Sequence, residues 1–494
     1  MNFNKKLAFA VSGAVLLMAG QVALADSATD IVDALVMKGV LTEEEGRLIT
    51  KGHTSKTNVT PVLKEKDNNF TIESPNGNNS IGLTGRIHFD YRNYDYDQGN
   101  HTNAAASSTG ADTFDMRRAR LGVKYKFAKH YSGEIVFNTV GAVDVLDVAF
   151  LDINWVEKAK IRVGQFKMPM SLEQLTSSNN IDFIERSVVD NYVAAKERGV
   201  QVFGEPATGL TYAVALSNGN AAASQTVGPE GDNRVDNKDV LGRFTINFAE
   251  IMGNKEMVLH GGLALARGEI PFGSGFSASP SAPRTEGRGA SYFTAPTLLT
   301  TNGSDKAMDR TRVGLEAIIA QGPFKLQGQY LKTNFDFASA TRGYDVDINT
   351  WYAEALWTIT GETHASRYKA GAFGGLKPKN NFDADTFSGG AWEVGARFSR
   401  FDAKDFNSAG LALGGNNGAR DGIVSTDALT ATGFTKANAY TAGIKFVANP
   451  NFRVMLDYVH TNWEDAINNV TGINVNGRLE TKENALLMRT QVMF

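Results

Sequence analysis

The chain has 494 residues, with 50 Lys and Arg against 53 Asp and Glu, and it contains no cysteine. This length allows two or three ordinary domains or one very large barrel, and the slightly acidic balance argues against a nucleic-acid-binding domain. Glycine is abundant at 50 residues and proline is scarce at 12, so the composition favours many paired strands held without disulfides.

The N-terminus predicts export. Lys5 and Lys6 precede the apolar stretch LAFAVSGAVLLMAGQVALA, and the small residues at 23 and 25 fit a cleavage site before Asp26. Glycines and a glutamine interrupt the run, which argues against a transmembrane anchor. We predict a signal peptide over residues 1–25 that is removed in the mature protein.

Residues 26–52 predict a short helical, coiled-coil-like segment that Gly39 divides in two. Thr42 and Glu45 have the spacing of a capping box at the start of the second helix. Because such short helices are marginal alone, we expect the segment to associate with itself as a trimerising spacer, or to dock as a wall anchor or adhesin. The polar residues 53–79 predict a linker.

From residue 80 the hydrophobic period becomes two, which predicts strands with one apolar and one polar face. In the stretch IGLTGRIHFDYRNY, for example, apolar side chains alternate with threonine, arginine, histidine and aspartate. Sixteen such segments follow one another, at about 80–96, 113–127, 131–140, 145–156, 159–166, 198–204, 209–217, 239–250, 256–267, 309–319, 324–334, 348–360, 390–400, 438–447, 451–462 and 483–494.

The connections between these segments alternate between short turns and long loops, which is typical of an outer-membrane barrel. The sequence therefore predicts an all-β transmembrane fold, a 16-stranded antiparallel outer-membrane β-barrel over residues 80–494. Two connections depart from the alternation: the one near 141–144 is short, and the one at 361–389 is long on the turn side. The second either hangs free in the periplasm or folds up into the lumen.

The polar face of the second segment, FDMRRARLGVKYKF, is strongly basic. Simple alternation places Arg86 and Arg118 toward the lumen and Arg117 toward lipid. A charge on the lipid face costs roughly 2–4 kcal/mol at mid-membrane, so we expect either a bulge at Met116–Arg117 or a rim position. Further candidates for anion binding in the lumen are Arg120, Lys124, Arg162, Arg310 and Arg312.

The other basic side chains predicted on the polar face are Arg243, Arg397, Lys445 and Arg489. For each single lumen cation, the alternative is an ion pair with an acidic neighbour such as Asp90, Glu134, Asp152, Glu316, Glu354, Glu393 or Asp457. The long connection at 167–197 follows the fifth segment and predicts a constriction loop, with Lys167, Glu173, Glu185 and Arg186 as its charged residues.

Several stretches resemble the family of phosphate-selective porins O and P: LTGRIHFDY, MRRARLGV, IRVGQFKMPMSLEQLTSSNNIDFIERS, AWEVGARFS, AGIKFVANPNFRVMLDYVH and the terminal MRTQVMF. The resemblance implies sixteen strands per subunit, a homotrimer, and a passive channel that prefers anions. It places Arg86, Arg117 and Arg118 at the narrowest point and Asp147 as the pore acid. The sequence departs from the family at Arg120, where an aromatic residue is usual, and near Ser132, where a lysine is expected.

We therefore predict an outer-membrane porin for phosphate, polyphosphate or similar small oxyanions, with no cofactor and no metal. The alternative is a general or carbohydrate diffusion porin without strong anion selectivity, for which Tyr352 offers an aromatic side chain on the polar face. An enzyme is disfavoured, because the seven histidines are scattered and no GxSxG or HExxH motif occurs.

Overall fold

The computed structural model describes residues 27–49, 60–66, 69–96, 112–140, 145–219, 238–271, 283–295, 307–338, 343–408, 432–467, 472–475 and 478–494. The predicted signal peptide at 1–25 and the connection at 141–144 lie outside these residues.

The N-terminal segment contains helix α1, Ser27–Met37, followed by helical residues 43–49. Thr42 caps the second helix, because its hydroxyl accepts from the Glu45 amide at 3.2 Å while the Glu45 carboxylate accepts from the Thr42 amide at 2.9 Å. Along the described part of the chain, no helix is both long and apolar enough to span a membrane.

The segment predicted as a linker differs from the expectation, because it contains a β-hairpin. Strand Val62–Lys66 pairs with Asn69–Glu73, and Lys64 forms an ion pair of 2.8 Å with Glu73. Asn69–Glu73 in turn pairs with the first residues of the next strand, from Thr71 opposite Gly82. Apolar side chains of the hairpin such as Phe70 remain exposed, so no buried face imposed an alternation that the sequence could display.

Sixteen long antiparallel strands form the barrel, as predicted, and are numbered in chain order: β1 Ser80–Tyr96, β2 Thr113–Phe127, β3 Tyr131–Asn138, β4 Leu146–Ile153, β5 Lys160–Lys167, β6 Lys196–Gly204, β7 Leu210–Ser217, β8 Asp239–Asn247, β9 Met257–Pro271, β10 Ala307–Gln321, β11 Phe324–Ala338, β12 Gly343–Thr358, β13 Ala391–Asp402, β14 Thr432–Asn449, β15 Phe452–Ala466 and β16 Lys482–Met493.

Each strand pairs with the next, and β16 closes the barrel against β1, with a register that runs from Glu483 opposite Tyr96 to Met493 opposite Arg86. Closure leaves no unpaired strand edge, which a lipid environment requires. The predicted alternation is clear in β10, where Arg310, Arg312 and Glu316 are buried on the inner face while leucine and isoleucine are exposed outside.

Three connections turn into the barrel. We call residues 168–195 the constriction loop, residues 283–295 the second inserted loop, and residues 361–376 the turn-side segment. Shorter elements lie in the connections: helices α2 Leu172–Leu175, α3 Phe248–Ile251 and α4 Asp405–Ser408; 3-10 turns Val188–Asn191 and Ala365–Arg367; and short strands Phe293–Thr294, Tyr368–Lys369, Ala372–Phe373, Ile473–Val475 and Arg478–Glu480.

The inserted loops bury an apolar core inside the barrel. Tyr192 of the constriction loop stacks on Phe401 at 5.9 Å between ring centroids, and Tyr292 of the second inserted loop meets the same ring edge-on at 5.2 Å. This core occupies part of the lumen.

Candidate functional site

The constriction loop is fixed by carboxylates that accept hydrogen bonds from its backbone. The Leu172 amide donates to Glu316 at 3.0 Å, the Ile184 amide to Asp457 at 2.6 Å, and the Val188 amide to Glu286 at 2.9 Å. Two of these carboxylates stand on the inner face of β10 and β15, and the third on the second inserted loop. The loop predicted over 167–197 therefore crosses the lumen and is anchored on the far wall.

The loop is also braced from within. Ser171 caps α2 by accepting from the Gln174 amide at 3.3 Å. Glu173 accepts from the amide and the hydroxyl of Ser187 at 2.8 and 2.6 Å, and Arg186 donates to the Glu173 carbonyl at 2.8 Å. Burial raises the pKa of Glu173 to about 7, although Arg397 opposes this shift.

Seven basic side chains gather where the constriction loop meets strands β1, β2, β5 and β6, and we call them the basic arc. They interact electrostatically with one another, so they form one cluster and not separate charges. The members of the basic arc are Arg86, Arg117, Arg118, Arg120, Lys167, Arg186 and Lys196.

Arg117 and Arg118 both point inward, although they are adjacent in β2. Arg117 donates to Glu185 at 2.7 and 3.1 Å, and Arg118 is 5% exposed and reaches His88. The outward-facing residues change parity across the pair: Phe114 and Met116 are exposed before it, and Leu121 after it. The strand therefore changes phase between Met116 and Leu121, and Arg117 faces inward and not toward lipid as simple alternation predicted.

Three cations of the basic arc bond only to neutral groups among the described residues. Arg86 donates to the hydroxyl of Ser178 at 2.8 Å, Arg118 contacts the His88 ring at 3.4 Å, and Lys167 donates to the Thr176 carbonyl at 3.0 Å. No carboxylate among the described residues bonds to these three cations.

The other cations of the arc share carboxylates. Asp147, the predicted pore acid, pairs with Lys196 and with Arg120 at 2.9 Å. Glu185 accepts from Arg117 and also from Arg92 at 3.0 Å. The remaining member, Arg186, lies 3.7 Å from Asp190.

The Glu185 carboxylate remains ionised in this setting. Burial alone would raise its pKa, but Arg117, Arg288 and Arg489 outweigh burial and hold that pKa well below its usual range. Glu185 therefore ties β2 and β16 to the constriction loop at neutral pH.

His88 links the arc to the constriction loop. It is fully buried, with Nε2 3.2 Å from Asn179 Oδ1 and Nδ1 3.4 Å from the Arg118 guanidinium. A ring that donates from Nε2 and accepts at Nδ1 satisfies both contacts in the neutral state. His88 thus positions Arg118 without adding charge.

Most of the other basic residues predicted on the inner wall bond to carboxylates, so the structure does not bring all predicted anion-binding residues together. Arg310 and Arg312 are at most 3% exposed and share Asp239, and Arg162 is paired with Asp152 at 2.7 Å. Lys124 is exposed near the end of β2. The alternative of an ion pair holds for these cations and for others of the wall: Arg243 with Glu316, Arg397 with Glu286, Lys445 with Glu393, and Arg489 with Asp90.

The second inserted loop brings a further arginine toward Glu185. Glu286 and Thr285 fasten this loop, through Arg397 at 2.7 Å and through Glu483. Arg288 has a left-handed backbone with φ 63°, and its charge acts on Glu185. The sequence predicted a long connection here but not its insertion into the lumen. The adjacent Tyr292 and Phe293 could have indicated the insertion, because large aromatic side chains in a loop are stable when they pack against other apolar groups.

The turn-side segment folds into the lumen, which decides between the two alternatives left open for 361–389. Arg367 pairs with Glu393 at 2.6 Å, and the Tyr368 hydroxyl lies 2.7 Å from His260 Nδ1 on β9. Phe373 packs with Leu172 of the constriction loop in a buried cluster. Residues 380–389 are mostly exposed instead, so only the first half of the connection is inserted.

Sequence reasoning missed Lys196, His88 and Arg288 as members of this site. The predicted strand begins at residue 198, so Lys196 falls in the predicted connection, whereas the observed strand begins two residues earlier, at Lys196. His88 was assigned to the polar face, but only the tertiary structure shows that it faces Asn179.

A closed barrel of sixteen strands, apolar outside and polar within, with loops folded into its lumen, is an outer-membrane porin. Residues 81–494 match the family described as Phosphate-selective porin O and P, and the chain belongs to this family. It is a porin of the bacterial outer membrane.

Individual relatives are distant. The chain is 24% identical to Porin O of Pseudomonas aeruginosa over 419 residues, which are 79% of this chain and 84% of that protein. Among solved structures, OmpT of Vibrio cholerae matches with a TM-score of 0.47 and 9% identity, covering 88% of this chain and 99% of that one. An anion-selective porin from Comamonas acidovorans matches with a TM-score of 0.45 and 11% identity, covering 84% and 100%.

Proposed function

We propose that the protein is a passive channel that selects small oxyanions, phosphate foremost, with the basic arc as its filter. The observation that carries the proposal is the imbalance of charge. Within the part of the chain that the structure describes, Arg86, Arg118 and Lys167 bond only to neutral groups, and the remaining cations of the arc share three carboxylates, Glu185, Asp147 and Asp190.

The chemistry of arginine suits this role. A guanidinium stays charged at any physiological pH, and its planar fork matches the oxygens of a phosphate. Several such groups along one wall provide successive shallow sites, so an anion passes from one to the next without being trapped. The serine hydroxyls of the constriction loop that hold Arg86 are further donors to an oxyanion.

Sugar diffusion finds less support in the geometry. Tyr352 is 1% exposed, and its hydroxyl is bonded to Gln327 and Gln329, so its ring offers no surface to a passing sugar. An enzymatic activity on the solute also finds no support, because relatives in the family are channels, and the proposal includes no catalytic group.

The deciding experiment measures the reversal potential of the reconstituted channel in a KCl gradient. We expect a potential of the sign that chloride permeation produces, and a chloride current that phosphate reduces by competition. Cation selectivity would overturn the proposal outright. Anion selectivity without competition by phosphate would reduce it to a general anion pore, and polyphosphates of increasing length test the size limit in the same setup.

The proposal has two further parts: the family resemblance supports a homotrimer embedded in lipid, and the pattern of the N-terminal residues supports a mature chain that lacks residues 1–25. Electrophoresis of unheated and heated protein extracted from outer membranes tests the first, because a trimer runs as one species that boiling dissociates. N-terminal sequencing of the same material tests the second, with Asp26 as the expected first residue.

A further inference from the structure

A second compartment lies beyond the constriction loop on the turn side, and we call it the exit basin. Its volume is about 880 Å³, and it is bounded by the inner faces of β5 to β8, by the constriction loop and by the turn-side segment. Cavities of roughly 300–1,000 Å³ are the usual size for small organic ligands, far more than an inorganic ion needs.

The exit basin has a basic side. Lys160, at the start of β5, is half-buried, and its side chain forms no ion pair or hydrogen bond within the described residues. Arg162 stands beside it on the same face, already bound to Asp152. The carboxylates that border the basin lie outside the strands: Glu157 and Glu205 are exposed in turns, and Glu250 is exposed on helix α3.

The exit basin also has an apolar side. Phe203 faces inward on β6, directly opposite Lys160 in the β5–β6 register. Its ring lies 5.0 Å from the Arg162 guanidinium carbon, which stacks on Phe150 at 3.9 Å as well. Pro169 and Leu175 of the constriction loop line the same compartment, together with alanines 370 and 372 of the turn-side segment.

We propose that the exit basin is a second anion-binding stage, and that it favours organic phosphates whose hydrocarbon part rests on Phe203 while the charged group lies near Lys160. This inference rests on the proposed function and deepens it, since it names the class of solute. A wall that served inorganic ions alone would gain nothing from apolar side chains, because they provide no donor to a bare oxyanion.

The test compares three blockers of the chloride current, added to the turn side of the reconstituted full-length channel: inorganic phosphate, methyl phosphate and phenyl phosphate. All are used at a pH where they are dianions, so that charge is matched. We expect phenyl phosphate to block at a concentration about five-fold lower than methyl phosphate, since its ring buries apolar surface against Phe203.

Two pairs of variants locate the effect. Phe203→Ser should remove the advantage of phenyl over methyl phosphate, whereas Phe203→Leu keeps an apolar contact and should retain most of it. Lys160→Gln should raise the blocking concentration of both esters, whereas the same change at Lys255, in an exposed turn away from the basin, should not.

Equal block by the three compounds in the wild-type channel would overturn the inference, and so would an advantage of phenyl phosphate that survives Phe203→Ser. If Phe203→Ser fails to insert, the leucine variant and the wild-type series still decide. The reversal potential in a KCl gradient, recorded on the same channels, tests the proposed function separately. A channel that is anion-selective but shows no preference for phenyl phosphate would retain the filter of the basic arc and lack the second binding stage in the exit basin.

Discussion

Replacement of Lys196 by glutamine tests whether the basic arc sets selectivity. Asp147 is bonded to both Lys196 and Arg120, so these three groups carry one net positive charge. After Lys196→Gln the remaining pair is neutral. For a monovalent anion about 6 Å away in a lumen with an effective dielectric constant of about 50, the lost attraction is about 1 kcal/mol. This corresponds to roughly a six-fold fall in the chloride-to-potassium permeability ratio.

The assay is the reversal potential of single channels in a KCl gradient, and the matched control is Lys332→Gln. Lys332 lies outside the arc, is 42% exposed, and pairs with Asp347 at 2.6 Å, so its replacement makes the same change in net charge. The predicted shift for Lys332→Gln is close to zero, because screened charges act over about a Debye length. Equal shifts in both variants would refute the reasoning, since net charge and not the arc would then set selectivity.

Three further predictions concern the inserted segments. Arg397→Leu leaves the Glu173 and Glu286 carboxylates without their buried partner, so we expect the free energy of unfolding to fall by about 3–5 kcal/mol. Urea titration in lipid vesicles measures this change, and an unchanged midpoint would contradict the anchoring role of Arg397. Replacement of residues 366–375 by a short Gly/Ser linker should raise single-channel conductance without reversing selectivity, because the segment occupies lumen outside the arc; unaltered conductance would show that the solute path avoids it. The pKa of Glu173 is about 7 in the folded protein against a reference value of 4.5, so ionisation of Glu173 lowers the free energy of unfolding as the pH rises through that window. Between pH 4.5 and 8 the free energy of unfolding of the wild type should fall by about 3 kcal/mol more than that of Glu173→Gln. Parallel pH profiles of the two proteins would disprove this.

The barrel strands follow from the sequence because their physics is local. Each strand that separates lipid from an aqueous lumen must alternate apolar and polar side chains, and this alternation is visible in the sequence of β10. The hairpin at residues 62–73 escaped prediction for the same reason, since neither of its faces is buried against an apolar layer.

The candidate site was only partly predictable. The cluster of arginines in β2 stood out by composition, and the loop after β5 by its length and irregular spacing. Arg310 and Arg312 looked equivalent to Arg118 along the chain, yet they are paired with Asp239, which is about seventy residues away in sequence. Whether a lumen cation is free or neutralised depends on which carboxylate the barrel closure brings opposite it.

By itself the sequence determined the class of fold, the number of strands and the basic character of one short segment, because alternation and composition are properties of neighbouring residues. Only the tertiary structure decided which cations are paired with carboxylates. Three features depend on contacts between residues far apart in sequence: the inward orientation of Arg117, the insertion of residues 283–295 and 361–376, and the ion pairs of Arg310 and Arg312. Those contacts pair several cations of the wall with carboxylates, whereas Arg86, Arg118 and Lys167 bond to neutral groups among the described residues.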